Sequence, residues 1–182
     1  GFAALKNLEE LKIDIERRSM GTTKLFKGFL KLPLLRKFFL RIMFIKDEEW
    51  PLLENFLKGQ NKLQSLSLGV RTPPSNRVCY LNQNTHLENI IKDLQNKLSL
   101  KTLQLHSVFW SLETLSKGLS HLTMKNQLEK FTFEASDETI TTDTKPWKRI
   151  KGLCDFIKNQ KESLKTLIVH LPLALEDSIV TH

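Results

Sequence analysis

Turn-forming residues are scarce, with 7 glycines and 6 prolines in 182 positions, so a loop-rich or collagen-like chain is excluded. The 2 cysteines, Cys79 and Cys154, lie far apart without a C-x-x-C pattern, and no N-x-S/T sequon occurs. Nothing points to a disulfide-built secreted domain. Long apolar runs are missing as well. The stretch over residues 38–45 is broken by Arg41 and falls far short of the ~18 apolar residues a membrane span needs. Glu9 and Glu10 come early, unlike a signal peptide. The expectation is a soluble intracellular protein, cytoplasmic before any other compartment, with no membrane partner. Leucine is plentiful, at 33 positions, and the chain is 40% hydrophobic and 26% charged, with net charge +8. That suffices for one domain with a sizeable core and argues against disorder.

The leucines are periodic. A phrase L-x-x-L-x-L, with conservative replacements, occurs six times: Leu8/Leu11/Ile13, Leu35/Phe38/Leu40, Leu63/Leu66/Leu68, Leu100/Leu103/Leu105, Leu128/Phe131/Phe133 and Leu164/Leu167/Val169. Successive starts are 27, 28, 37, 28 and 36 residues apart. This is a repeat near 28 residues carrying two insertions. Between the phrases, apolar residues fall at helical spacing, as in Leu25/Phe26/Phe29/Leu30, Leu52/Leu53/Phe56/Leu57, Leu87/Ile90/Ile91/Leu94 and Ile150/Leu153/Phe156/Ile157, each set the apolar face of one amphipathic helix. Asp47, Thr85, Ser111 and a first-turn Pro146 mark helix starts. Polar exits such as Gln95-Asn96-Lys97 and Asn159-Gln160-Lys161 precede the next phrase. Short strand, loop, helix and turn therefore alternate.

This pattern resembles the leucine-rich repeat superfamily, in its longer helix-containing ribonuclease-inhibitor-like or F-box-associated type. The resemblance covers almost all of residues 1–182, taken as a single repeat domain or a piece of a longer solenoid. It implies an α/β solenoid of about six repeats, with a curved parallel sheet on the concave face and helices on the convex face. The family's asparagine or cysteine three positions after the phrase is replaced by Glu16, Met43, Arg71, Val108, Ser136 and Pro172, so the asparagine ladder is missing. No F-box segment is present.

Alternation along a strand sends phrase residues inward and their neighbours outward. The outward residues form three rows: Glu10, Lys37, Ser65, Thr102, Lys130, Thr166; Lys12, Phe39, Ser67, Gln104, Thr132, Ile168; and Asp14, Arg41, Gly69, His106, Glu134, His170. A mixed polar face with a few apolar anchors suits a protein partner. The expected contact residues are Lys37, Phe39, Arg41, Gln104, His106, Thr132, Glu134, Ile168 and His170. His106, Glu134 and His170 share a row, but the histidines are two strand spacings apart, ~9.6 Å, with no fourth ligand in view. They read as polar surface, not as a metal site.

Residues 17–46 hold nine basic side chains and no acid. Arg17, Arg18, Lys24, Lys27 and Lys31 make a candidate patch for an anionic ligand. The insertions, residues 71–84 and 134–145, are expected between strand and helix, as passive expansions or as binding loops. Trp50, Trp110 and Trp147 stand at helix starts and read as corner caps. No phosphate loop, H-E-x-x-H or nucleophile elbow occurs. The expectation is a non-catalytic, cofactor-free protein-interaction scaffold, a recognition or assembly subunit. Nucleic acid is the alternative partner, placed second because the basic residues are scattered and the rows lack an aromatic ladder for stacking bases. A structural subunit inside a large assembly is the third reading.

Overall fold

The computed structural model describes residues 4–15, 22–43, 45–70, 79–107, 112–134 and 146–170. Six strands, β1 (Glu10–Ile15), β2 (Lys37–Ile42), β3 (Ser65–Val70), β4 (Thr102–Ser107), β5 (Lys130–Glu134) and β6 (Thr166–His170), form one parallel sheet in sequential order. Helices α1 (Thr22–Phe29), α2 (Trp50–Gly59), α3 (Cys79–Leu94), α4 (Leu112–Ser120) and α5 (Pro146–Asn159) alternate with them. Adjacent parallel strands need a crossover, and here each crossover is a helix. The register follows the leucine phrases. Leu11, Phe38, Leu66, Leu103, Phe131 and Leu167 stand side by side, as do Ile13, Leu40, Leu68, Leu105, Phe133 and Val169.

These two inward rows meet one layer of helices, each packed on the next. The result is a single apolar cluster. Phe38 of β2 lies edge-on to Phe29 of α1 at 5.7 Å and to Phe56 of α2 at 5.0 Å. Each such buried side chain contributes roughly 1.5–3 kcal/mol, and none can be buried by its own repeat alone. The ends differ from the middle. Phrase residues of β1 are half-buried, and β6 is exposed throughout, including Leu167, Ile168 and Val169.

The helix-to-strand corner carries the backbone bookkeeping. Arg36 N donates to Glu9 O at 2.8 Å, Gln64 N to Arg36 O at 2.7 Å, and Lys101, Glu129 and Lys165 continue the series at 2.8 Å each. Behind it lie buried polar side chains at equivalent places. Gln60 Oε1 accepts from Leu35 N at 2.6 Å, and Gln160 Oε1 accepts from Gln127 N and Leu128 N at 2.9 and 3.0 Å. The Gln160 amide also donates to Met124 O at 2.7 Å. Lys97 takes the corresponding place before β4, buried and ion-paired with Asp93 at 3.0 Å. These side chains hold each corner to the preceding one, on the side of the repeat opposite to where an asparagine ladder would run. Gln160→Ala is expected to leave two N–H groups and one carbonyl unpaired, at roughly 1–3 kcal/mol for each buried group. Chemical denaturation should show a larger loss for Gln160→Ala than for Gln60→Ala, which orphans one N–H.

Two expectations need correction. Helix α3 begins at Cys79, not at Thr85, so residues 79–84 of the first insertion belong to a helix of 16 residues. After Pro73-Pro74 no glycine or proline interrupts the segment, and helix therefore propagates upstream of Thr85. Leu30, taken as part of the inward face of α1, lies beyond its end and is exposed. Residues 71–78 and 135–145 of the insertions, and Trp110, lie outside the described residues.

Candidate functional site

Because each strand alternates and the strands are in register, the helix-free face displays the three outward rows as aligned columns. Phe39, Gln104, Thr132 and Ile168 share the middle row with Lys12 and Ser67. Arg41, His106, Glu134 and His170 share the third with Asp14 and Gly69. Lys37 sits in the first row beside Glu10. All nine candidate contact residues thus lie on one face, spread over β2, β4, β5 and β6.

Their pairings are uneven. Lys37 Nζ donates to Glu10 Oε2 at 3.0 Å, and Lys12 Nζ lies 5.1 Å above the centre of the Phe39 ring. His106 Nδ1 is 2.8 Å from Glu134 Oε2, which turns the other ring nitrogen away from that carboxylate. Among the described residues Arg41, exposed on β2, has no ion-pair or hydrogen-bond partner for its guanidinium, although Asp14 is its register neighbour. Among the described residues, the buried hydroxyls of Ser67 and Thr132 have no partner. A hydroxyl shut away from water with no acceptor costs roughly 1–3 kcal/mol. These two lie on either side of Gln104 in the middle row. Sequence reasoning missed Ser67, because its burial comes from large neighbours on other strands.

Strand β3 differs from its neighbours in size. Its outward residues are Ser65, Ser67 and Gly69, between Lys37, Phe39 and Arg41 on β2 and Thr102, Gln104 and His106 on β4. The small side chains make a floor between two taller walls. At Gly69 an added Cβ would stand 3.3 Å from His106 Cβ and 3.6 Å from Arg41 Cγ, so the two walls approach each other over the glycine.

The basic run divides among several elements. Lys24 and Lys27 are exposed on α1 and Lys31 just after it, while Arg17 and Arg18 lie outside the described residues. Arg36 pairs with Glu9 at 3.4 Å, Lys37 with Glu10 at 3.0 Å, and Lys46 approaches Glu48 at 3.9 Å. Acids from outside residues 17–46 therefore offset part of the run. At the far corner, Glu129 accepts from Lys165 at 2.8 Å, and that hydrogen bond, with the positive charges of Lys165 and Lys101, holds its carboxyl below the usual range. A lowered carboxyl stabilises the fold above its unfolded pKa, and the contribution is lost as pH falls through the folded value.

On the helical side, Trp50 opens α2, is fully buried, and stacks on His86 of α3 with rings 3° from parallel. His86 pairs in turn with Glu54. Trp50 is thus a packing residue of the corner. A shallow cleft between α2 and α3 is lined by residues of both signs, among them Glu54, Lys58, Lys92 and Asp93, and it offers no net charge to a ligand. Among the described residues no three metal-ligating side chains gather. Comparison with family models, with curated proteins and with solved structures finds no match for the chain.

Proposed function

We propose that the chain is a divergent leucine-rich repeat solenoid acting as a non-catalytic scaffold, which binds a protein partner on its helix-free face. Strands ~4.8 Å apart backed by helices ~10 Å apart bend such an array so that this face is concave. The observation that carries the reading is the middle row, where half-buried Phe39 and exposed Ile168 flank polar side chains that lack partners. Apolar anchors around polar groups in want of acceptors are what a partner surface completes. A recognition or assembly subunit is the role this surface fits, inside the cell.

Nucleic acid is the weaker alternative. Lys24, Lys27 and Lys31 are exposed, yet Arg36, Lys37 and Lys46 already face carboxylates, and Phe39 is the one Phe, Tyr or Trp in the outward rows.

The test is photo-cross-linking with a reactive residue at Gln104, compared with one at Lys92, exposed on α3. A partner protein should cross-link from Gln104 alone, with a yield unchanged by nuclease. Phe39→Ala should then weaken the purified complex by about 2 kcal/mol, roughly thirtyfold in Kd, with the thermal melt unmoved. Equal cross-linking from Lys92, or an unchanged Kd for Phe39→Ala, would remove this face as the interface.

A further inference from the structure

We infer that the trough along β3 receives an extended acidic segment of the partner, with one of its carboxylates on Arg41 and a carbonyl or carboxylate oxygen accepting from Ser67 Oγ. The inference rests on the helix-free face being the interface, and it adds which chemistry that interface reads.

Three observations converge on the same strand. The floor, Ser65, Ser67 and Gly69, is small where both walls are large. The Ser67 residue is only 3% exposed, its hydroxyl points to the helix-free face by strand alternation, and it has no acceptor. Arg41 stands beside the floor with five N–H donors and no carboxylate. A hydroxyl and a guanidinium both ask for oxygen acceptors, and neither is served among the described residues. Half-buried Phe39 and Gln104 flank Ser67, so entry requires side-chain rotation and no movement of the backbone.

The charge balance of the face selects an acidic occupant. Of its acids, Glu10 is held by Lys37 and Glu134 by His106. Among the described residues, its cations Arg41 and Lys130 have no ion pair, and Lys12 is engaged with the Phe39 ring alone. Taken together the rows hold Lys12, Lys37, Arg41 and Lys130 against Glu10, Asp14 and Glu134, a surplus of one positive charge. The occupant is extended because side chains two residues apart in a strand lie ~6.6 Å from one another along the floor. A peptide in the same conformation places every second side chain at that interval, so an apolar residue two positions from the acid would lie against Phe39 while the acid meets Arg41.

The experiment pans a random-peptide display library on the full chain and measures enriched peptides by fluorescence anisotropy. Aspartate or glutamate should recur among them. Arg41→Gln and Gly69→Ala should each weaken binding by about tenfold or more, the first by removing the charge and the second by narrowing the space between Arg41 and His106. Ser67→Ala gives the sharpest signature. Deleting a buried hydroxyl that has no partner should leave the melting temperature unchanged or higher, while peptide affinity falls. A purely structural role would not move the two readouts in opposite directions. Absence of enriched peptides, enrichment without an acid, affinity unaltered by Arg41→Gln, or displacement of the peptide by single-stranded oligothymidine would each overturn the inference. If the trough fails in this way while Gln104 still cross-links to a partner, the face remains the interface and only its acidic reading falls. If both fail, the interface is elsewhere.

Discussion

Leu103→Asp is expected to leave the chain without a cooperative melt. Leu103 lies at the centre of the sheet, 0% exposed, between Leu66 and Phe131. Truncation of such a leucine alone costs about 2–5 kcal/mol, and a carboxylate in its place adds a charge with no partner in the apolar cluster. Total stability of an ordinary domain is only about 5–15 kcal/mol, so the two losses together match or exceed it. Circular dichroism should show a broad, early transition. Leu103→Met, which keeps the volume, should cost less than about 1.5 kcal/mol. A wild-type melt for the aspartate variant would mean that the phrase register is misplaced.

The second large effect is at Gly152, where α5 crosses closest to α4. A Cβ there would stand 2.0 Å from the Ser116 carbonyl oxygen and 2.9 Å from Ser120 Cβ. The obstacle is backbone, which cannot rotate away as a side-chain end would. Leu153 N also donates to Ser116 Oγ at 3.1 Å, a link that displacement of α5 would break. Gly152→Ala should therefore cost at least the 1–3 kcal/mol or so of an overpacked core. Gly59, at the end of α2, provides the opposite sign, since nothing lies within 4 Å of its added Cβ. Gly59→Ala should stabilise by about 0.4–1 kcal/mol through the unfolded chain. Parallel urea titrations of the two variants test both claims, and equal shifts would refute the close crossing of α4 and α5.

The difference between these glycines is invisible in sequence, where both sit near the polar or middle part of a helical segment. What periodicity does convey is the inward set. Leu66, Leu103 and Phe131 are adjacent because each is the second residue of its phrase, and a one-residue slip would turn every one of them to the opposite face. The same logic delivers the outward rows, and with them the neighbours His106 and Glu134. It does not deliver the state of each side chain. Glu10 pairs with Lys37 while Asp14, in the same relation to Arg41, does not. The burial of Ser67 depends on the bulk of Phe39 and Gln104, which arrive from strands 28 and 37 residues away. Gln60 and Gln160 stand in polar exits that look alike on paper, and their role follows from contacts made to the preceding repeat. The start of α3 is not legible in sequence because a good N-cap residue, Thr85, sits in the interior of a helix whose upstream turns carry no apolar stripe.

The sequential strand order has a kinetic side. Every strand pairs only with the strand before and after it, so no contact in the sheet closes a loop longer than one crossover. Such a chain acts as a row of coupled units and not as one indivisible one. Among the described strands, β3 and β4 have a neighbour on either side and buried inward residues, so opening is expected last there. Amide protons of Leu66 and Leu103 are therefore expected to exchange only when the row comes apart on both sides of them. A partner segment lying along β2, β3 and β4 would grip the part of the sheet expected to open least, so its release need not wait on, or cause, the unfolding of that part.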